Sequence, residues 1–286
     1  MNSRIPTVSI GMPVYNGAKY IREALDSLLA QTFTDFELII SDNASTDATQ
    51  EICQEYAEQD SRIRYIRQST NMGAMPNFTF VLDEARAEYF MWVAHDDKWS
   101  LNWLAELLAA HNDSVVLTFG EVVAVNENDE VIRYCRNLSF VGGLILRSLK
   151  YAFQDGFEGK ANLFYGLFKT KEIIGVLKNE QSGTGYALDA LIIFSVLQKG
   201  EILAVSSAQL RKRCGGDGDK EIKNHTLIRR ITAFYLISYY FNYAQRASTF
   251  FLKCMLCASM PLFLVHAHLA RLRRFIGRLL TNKGLI

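Results

Sequence analysis

The stretch "VSIGMPVYNGAKYIREALDSLLAQTFTDFELIISDNASTDAT", Val8 to Thr49, decides how the rest of the chain is read. It opens within a short β-rich run (7–13) that ends at Pro13. Apolar residues then recur at Ile21, Leu25, Leu28 and Leu29, the spacing of one helical face, which predicts a helix over 18–31. A second apolar run, "FELIISD" (36–42), predicts a strand that stops at Asp42. Asp47 and Gln50 stand where an N-cap and its reciprocal partner open a further helix in "STDATQEICQEYAEQ". Strands alternating with helices at this pace predict a parallel sheet flanked by helices on both faces.

Outward from there the alternation continues. A third strand is predicted over 63–68, a helix over 76–87 with Pro76 in its first turn, and a fourth strand over 89–94. From 115 the pattern changes, because "VVLTFGEVVAVNENDEVIRY" reads as two strands around a polar turn, so mixed or antiparallel pairing is expected. Helices are predicted over 145–154, 162–174 and 185–200. The strand "EILAVS" (201–206) and a basic, then glycine-rich, loop "RKRCGGDGDK" (211–220) follow.

In open α/β sheets ligands sit outside the carboxyl ends of the strands. Pro13 to Asn16, Asp42 to Ser45, Asn71 with Gly73, and Asp96 with Asp97 fall there after the first four strands. Any one of these loops reads equally well as ordinary turn chemistry, since Asn, Asp, Gly and Ser are turn formers. Four at equivalent positions point to a site. Adjacent carboxylates repel, so Asp96 and Asp97 either lie open to water or hold something positive. No GxGxxG follows the first strand and no GxxxxGK[ST] occurs, so the phosphates of a bound nucleotide need another partner. A divalent cation, which takes carboxylate and phosphate oxygens together, is one. His95 has no second histidine near it in sequence, which argues against a softer metal. Trp92, Trp99 and Trp103 either stack on a sugar ring or pack in the core.

The opening stretch, together with "NMGAMPNFTFVLDEARAEYFMWVAHDD" (71–97), resembles the start of the family 2 nucleotide-sugar glycosyltransferases of GT-A fold. Weaker similarity runs on through "NLFYGLFKT", "ALDALIIFSVLQKG" and "RKRCGG" to Gly216. The resemblance implies inverting transfer of a sugar from a nucleoside diphosphate to an acceptor hydroxyl, with Mg²⁺ or Mn²⁺. It implies that Pro13, Tyr15 and Asp42 line the nucleoside pocket and that Asn71 and Gly73 border it. Asp96 then approaches the ribose, Asp97 binds the metal, and Asp189 is the general base. Arg211 and Arg213 are candidates to clamp the diphosphate. The chain departs from the family at Ala94, where an aspartate usually stands, and at Leu188, where an acidic residue often precedes the base. A nucleotidyltransferase and a catalytically impaired nucleotide-binding protein are the competing readings.

Charge divides the chain. Residues 1–204 carry 17 Lys/Arg against 27 Asp/Glu, whereas residues 205–286 carry 14 against 3. A glycosyltransferase domain over 1–216 and a basic, amphipathic helical region over 217–286 are expected, the latter associating with an anionic membrane surface rather than nucleic acid. The apolar run from Phe250 to Ala270 is broken by Lys253, Pro261, His266 and His268, which favours helices lying in the interface over a span. Arg271, Arg273, Arg274 and Arg278 are expected to meet lipid headgroups. No secretory signal pattern opens the sequence and the five cysteines form no framework, so a cytoplasmic protein, peripheral at the inner face of the membrane, is expected. Its acceptor is then a lipid-linked or cell-surface glycan. Cys254 and Cys257, one helical face apart, are expected to pack in the core.

Overall fold

The computed structural model describes residues 4–135, 138–154, 160–179, 188–214 and 242–282. The first half follows the predicted alternation: β1 (Val8–Val14), α1 (Ile21–Leu29), β2 (Phe36–Asp42), α2 (Thr49–Gln59), β3 (Ile63–Arg67), α3 (Ala74–Asp83) and β4 (Tyr89–Trp92). Then come β5 (Lys98–Trp99), α4 (Trp103–Ala109), β6 (Val115–Val125), β7 (Val131–Cys135) and α5 (Leu144–Phe153). A 3₁₀ helix (Lys160–Tyr165) leads into β8 (Leu167–Lys169), α6 (Thr170–Asn179), α7 (Leu188–Leu197), β9 (Glu201–Arg213) and α8 (Phe250–Asn282).

The strands form one mixed sheet in the order β3-β2-β1-β4-β8-β6-β9-β5, with β7 paired to β6. β3, β2, β1 and β4 run parallel, and β8 runs antiparallel between β4 and β6. The order turns back on itself at β1, between β2 and β4, which is where an open α/β sheet makes a ligand crevice. This is the α/β, Rossmann-type mixed sheet flanked by helices that the sequence predicts.

Hydrophobic residues cover both faces of the sheet. α1 buries Ile21, Ala24, Leu25 and Leu28 against one face, beside Val8, Ile10, Met12 and Val14 of β1. The other face packs Phe90, Trp92 and Phe168 with α5, α7 and the C-terminal Tyr243, Leu252, Leu256 and Phe263. α7 is apolar all round and buried from Ala190 to Phe194, as a helix sandwiched between sheet and neighbours must be.

Two segments differ from expectation. The helix predicted over 162–174 is a 3₁₀ turn and a strand before α6 begins, because Leu167 and Phe168 fill the gap between β4 and β6. β9 runs on to Arg213, so "RKR" is strand and not loop; it pairs in parallel with β6 across Gln209 to Arg213. The start of α2 also differs. Asp47 accepts from the N–H groups of Thr49 (3.1 Å) and Ala18 (3.0 Å) instead of forming a reciprocal box with Gln50, and Ala48 is the capping position. Cys254 and Cys257 are exposed, correcting the expectation of core packing, because α8 buries the face carrying Leu252, Leu256 and Phe263.

At the amino end of the strands, Glu37 ties four segments together. Its carboxylate accepts from Ser9 Oγ (2.7 Å), Arg86 Nη2 (2.6 Å) and Arg64 Nη1 (3.2 Å), and its side chain is 5% exposed. Burial pushes the carboxyl up, but Arg86, Ser9 and Arg64 outweigh it and hold the pKa below the ordinary value. A depressed carboxylate contributes stability above its unfolded pKa and loses it as pH falls through the folded one. Glu37→Ala is expected to cost about 2–3 kcal/mol at neutral pH, at or just below the bottom of the range for a broken buried pair because both guanidinium groups are partly exposed. The difference from the parent should shrink in melts below pH 4.

Candidate active site

Four loops meet at the carboxyl edge of β1, β2, β3 and β4, and hydrogen bonds staple the first three together. Asn16 N–H donates to Ser45 Oγ (2.9 Å), Gly17 N–H to Thr49 Oγ1 (2.8 Å), and Thr46 N–H to Asn16 Oδ1 (2.8 Å). Asn43 bridges to the third loop: its amide donates to Asn71 Oδ1 (2.8 Å) and to the Gly73 carbonyl (3.1 Å). Gly73, at φ +88, turns the chain into α3 in the left-handed region that a side chain resists. Tyr15 is 45% exposed on this edge.

Asp42 is fully enclosed. One oxygen accepts from Ser45 N–H (2.8 Å), the other from Tyr65 OH (2.8 Å) and Arg67 Nη1 (2.6 Å). In this state it organises the loop and is not open to a base edge, which differs from the expectation. Arg67, about a third exposed, stands between it and solvent.

After β4 the chain runs Ala94-His95-Asp96-Asp97. His95 packs over Gly17, where a Cβ would lie 2.7 Å from its ring, and burial lowers its pKa. Asp97 is buried. Its Oδ1 accepts from the Arg213 N–H (2.8 Å), while Oδ2 is buried with no partner among the described residues. Burial first, then the neighbouring Asp96 charge, pushes the Asp97 carboxyl up to about 7. An orphaned buried carboxylate oxygen is what a cation would satisfy, so Asp97 fits the divalent ion that the resemblance implies. Among the described residues no three His, Cys, Asp or Glu side chains cluster as a metal site.

Asp189 sits in the first turn of α7, partly buried, and its Oδ1 accepts from the Ala190 N–H (2.8 Å). Asp189, Asp96 and Asp97 all lie within electrostatic reach of the Tyr165 phenol, whose pKa is raised mainly by burial. Lys212 from β9 and Asn162 from the 3₁₀ turn stand there too, with Lys212 Nζ 3.3 Å from Asn162 Oδ1 and 4.6 Å from the Tyr165 ring centre. Lys212, Asn162 and Tyr165 were not foreseen as site residues, because 162–174 reads as helix and 211–214 as loop. The usable signal was strand alternation: once β9 reaches Arg213, Lys212 faces the side opposite Arg211 and Arg213.

The two arginines divide. Arg211 is engaged by Asp129, through Oδ1 (3.2 Å) and the main-chain carbonyl (2.7 Å), so it is not poised over the crevice as expected. Arg213 is buried, lies 4.0 Å from the Tyr20 ring centre and pairs with Glu23 (3.2 Å), yet its Nε and Nη1 have no partner among the described residues. The tryptophans are all packing residues. Trp92, Trp99 and Trp103 are 1%, 4% and 1% exposed, with Trp92 stacked on Phe164 at 4.4 Å, so none is available to a sugar ring. The glycine-rich segment 215–220 lies outside the described residues.

Residues 9–171, more than half of the chain, match the family model for glycosyl transferase family 2. The chain belongs to that family. Among relatives of the family 2 chain is TuaG of Bacillus subtilis (strain 168), a glycosyltransferase assigned provisionally to teichuronic acid biosynthesis. It is 36% identical over 103 residues, covering 36% of this chain and 41% of TuaG. The chain spans less than half the length of the curated relatives it matches. Among solved structures, S. aureus TarS 1–349 in complex with UDP-GlcNAc has a TM-score of 0.64 at 19% identity, over 91% of this chain and 72% of that one. The mannosyltransferase PcManGT from Pyrobaculum calidifontis, in complex with GDP-Man and Mn²⁺, has a TM-score of 0.57 at 18% identity, over 99% and 80%. At such identities the likeness is one of fold, and the family 2 chain has the GT-A architecture.

Proposed function

We propose that the protein is an inverting, metal-assisted glycosyltransferase that moves a sugar from a nucleoside-diphosphate donor to an acceptor hydroxyl. The observation that carries this reading is the orphaned, buried oxygen of Asp97 at the sheet's carboxyl edge, with Asp189 within electrostatic reach of the same Tyr165. In the reaction the acceptor oxygen bonds to the anomeric carbon on the face opposite the diphosphate. The bond from that carbon to the phosphate oxygen breaks, its electron pair leaves with the nucleoside diphosphate, and Asp189 takes the hydroxyl proton. Pro13 and Tyr15 line the nucleoside pocket, Asn71 and Gly73 border it, and Asp96 meets the ribose. Asp42, held by Ser45, Tyr65 and Arg67, keeps the second loop in shape beside this pocket. Of the arginine pair, Arg213, whose Nε and Nη1 have no partner among the described residues, suits the diphosphate. Asp97 would hold a divalent ion, which when bound would supply charge neutralisation for the departing diphosphate. That PcManGT was solved with GDP-Man and Mn²⁺, and TarS with UDP-GlcNAc, favours this donor class.

Incubation with UDP-, GDP- and dTDP-sugars plus Mn²⁺ tests the reading. Slow hydrolysis of one donor is expected; pyrophosphate exchange would indicate nucleotidyl transfer, and silence with every donor would overturn catalysis.

Residues 1–216 form the catalytic domain in this proposal, and 217–286 bring it to an anionic membrane surface on the cytoplasmic side, where a lipid-linked or cell-surface glycan is the acceptor. Among the described residues no helix is long and apolar enough to cross a membrane. α8 supports an interfacial role: Phe251, Leu262, Val265 and Leu269 share one helical stripe and are 61%, 68%, 59% and 50% exposed. The side chains of Arg271, Arg273, Arg274 and Arg278 lie outside the described residues. The full chain is expected to float with phosphatidylglycerol vesicles at low salt, and Leu262→Glu with Val265→Glu to abolish flotation. A parent protein left unbound would sink the membrane assignment.

A further inference from the structure

Lys212 has a different setting from the other cations around the site. Arg67 is paired with Asp42, Lys98 with Asp129 and Glu23, Arg211 with Asp129 and Arg213 with Glu23. Lys212 makes no ion pair among the described residues; its ammonium meets only the Asn162 amide oxygen and the face of Tyr165. An ammonium has three donors and a full charge, and one neutral acceptor with one aromatic face satisfies neither completely. A lysine kept for structure would be expected to close on a carboxylate. Here burial works against the Lys212 charge, but Tyr165 first, then Asp97, Cys214 and Asp189, act in the opposite sense, and none of the carboxylates closes an ion pair with it among the described residues. The chain thus holds a partly buried cation, beside Asn162 and Tyr165, within electrostatic reach of both the carboxylate suited to a metal and the carboxylate suited to proton transfer.

We propose that Lys212 binds the diphosphate of the sugar nucleotide directly, giving the site a fixed positive charge where Ala94 leaves the metal one carboxylate short. This rests on the nucleotide-sugar reading above. Lys212 exchanges no proton: as the bond between the anomeric carbon and the phosphate oxygen breaks, the electron pair passes to that oxygen and the ammonium stabilises the charge. Asn162 and Tyr165 are positioning residues that aim the ammonium. A consequence is that a nucleoside diphosphate retains part of its affinity without any divalent ion.

The test is calorimetric titration of the full chain with UDP, UMP, GDP and GMP, each in EDTA and in Mn²⁺, for the parent, Lys212→Met and Lys212→Arg. In EDTA the preferred diphosphate is expected to bind Lys212→Met about tenfold to a hundredfold more weakly, the loss typical of a charge-assisted hydrogen bond. The monophosphate should bind as in the parent, and Lys212→Arg should recover part of the difference. Lys212→Met should melt no lower than the parent, since it removes an incompletely paired charge. Equal losses for monophosphate and diphosphate would show a packing role, and unchanged diphosphate affinity would show no contact; either overturns the proposal. If the parent binds neither UDP nor GDP under any condition, the nucleotide-sugar reading falls and this proposal with it.

Discussion

Asp189→Asn is expected to lower sugar transfer by about 10²- to 10⁴-fold while nucleotide-sugar binding stays within about twofold of the parent. The substitution keeps the size and the oxygen that accepts the Ala190 N–H, so the first turn of α7 is preserved. What it removes is the capacity to take a proton. Asp189 is the charged residue of a helix otherwise made of Leu, Ala, Ile, Phe, Ser and Val, in which seven residues from Ala190 to Leu197 are buried core. A carboxylate at the head of such a helix gains from the helix dipole, and that alone would explain an idle residue. Acting, as Asp97 does, on both Tyr165 and Lys212 is what an idle residue would not need. Transfer at the parental rate by Asp189→Asn, measured with the donor that the hydrolysis panel selects, would end its assignment as the base.

Asp97→Asn is expected to have the second largest effect, a loss of about 10²-fold or more in metal-stimulated transfer together with loss of metal-enhanced donor binding. The fold should survive, because the amide oxygen can go on accepting the Arg213 N–H that links the β4–β5 turn to β9. The melting temperature should stay level or rise, since a buried carboxylate with a lone unsatisfied oxygen costs free energy in the unliganded protein. Undiminished Mn²⁺ stimulation in Asp97→Asn would show that the ion is held elsewhere. The Asp97 and Lys212 variants also separate two contributions: the first removes the response to Mn²⁺, the second the affinity that persists in EDTA.

Much of the scaffold was legible because local pattern and tertiary position agree there. Val8 to Asp42 alternates strand and helix with periods that the sheet then uses, and β1 is buried over its whole length, as the apolar run implied. The edge loops were legible too, since turn residues must follow each strand and those present carry amide and carboxylate groups. Trp92 was open between core and sugar contact, and packing on Phe164 decided it. Other features depend on partners distant in sequence. β8 is a strand because β4 and β6 leave an opening between them that Leu167 and Phe168 fill, although "NLFYGLFKTKEII" alone has helical spacing. β9 extends to Arg213 because β6 pairs with it.

The same distinction runs through the site. The residue types and their order determined that Asp42, Asp96 and Asp97 end strands at one edge of a parallel sheet, because handed crossovers leave such ends on the same side. Only the tertiary structure decided which of them keeps a free oxygen. Asp42 is filled by Tyr65 and Arg67, 23 and 25 residues away, whereas Asp97 is met on one side by the main chain of Arg213, 116 residues away, and left open on the other. It decided likewise that Arg211 is spent on Asp129 while Lys212 faces the carboxylates. A charged side chain's role depends on what neutralises it, and those partners come from elements that meet only when the sheet is assembled.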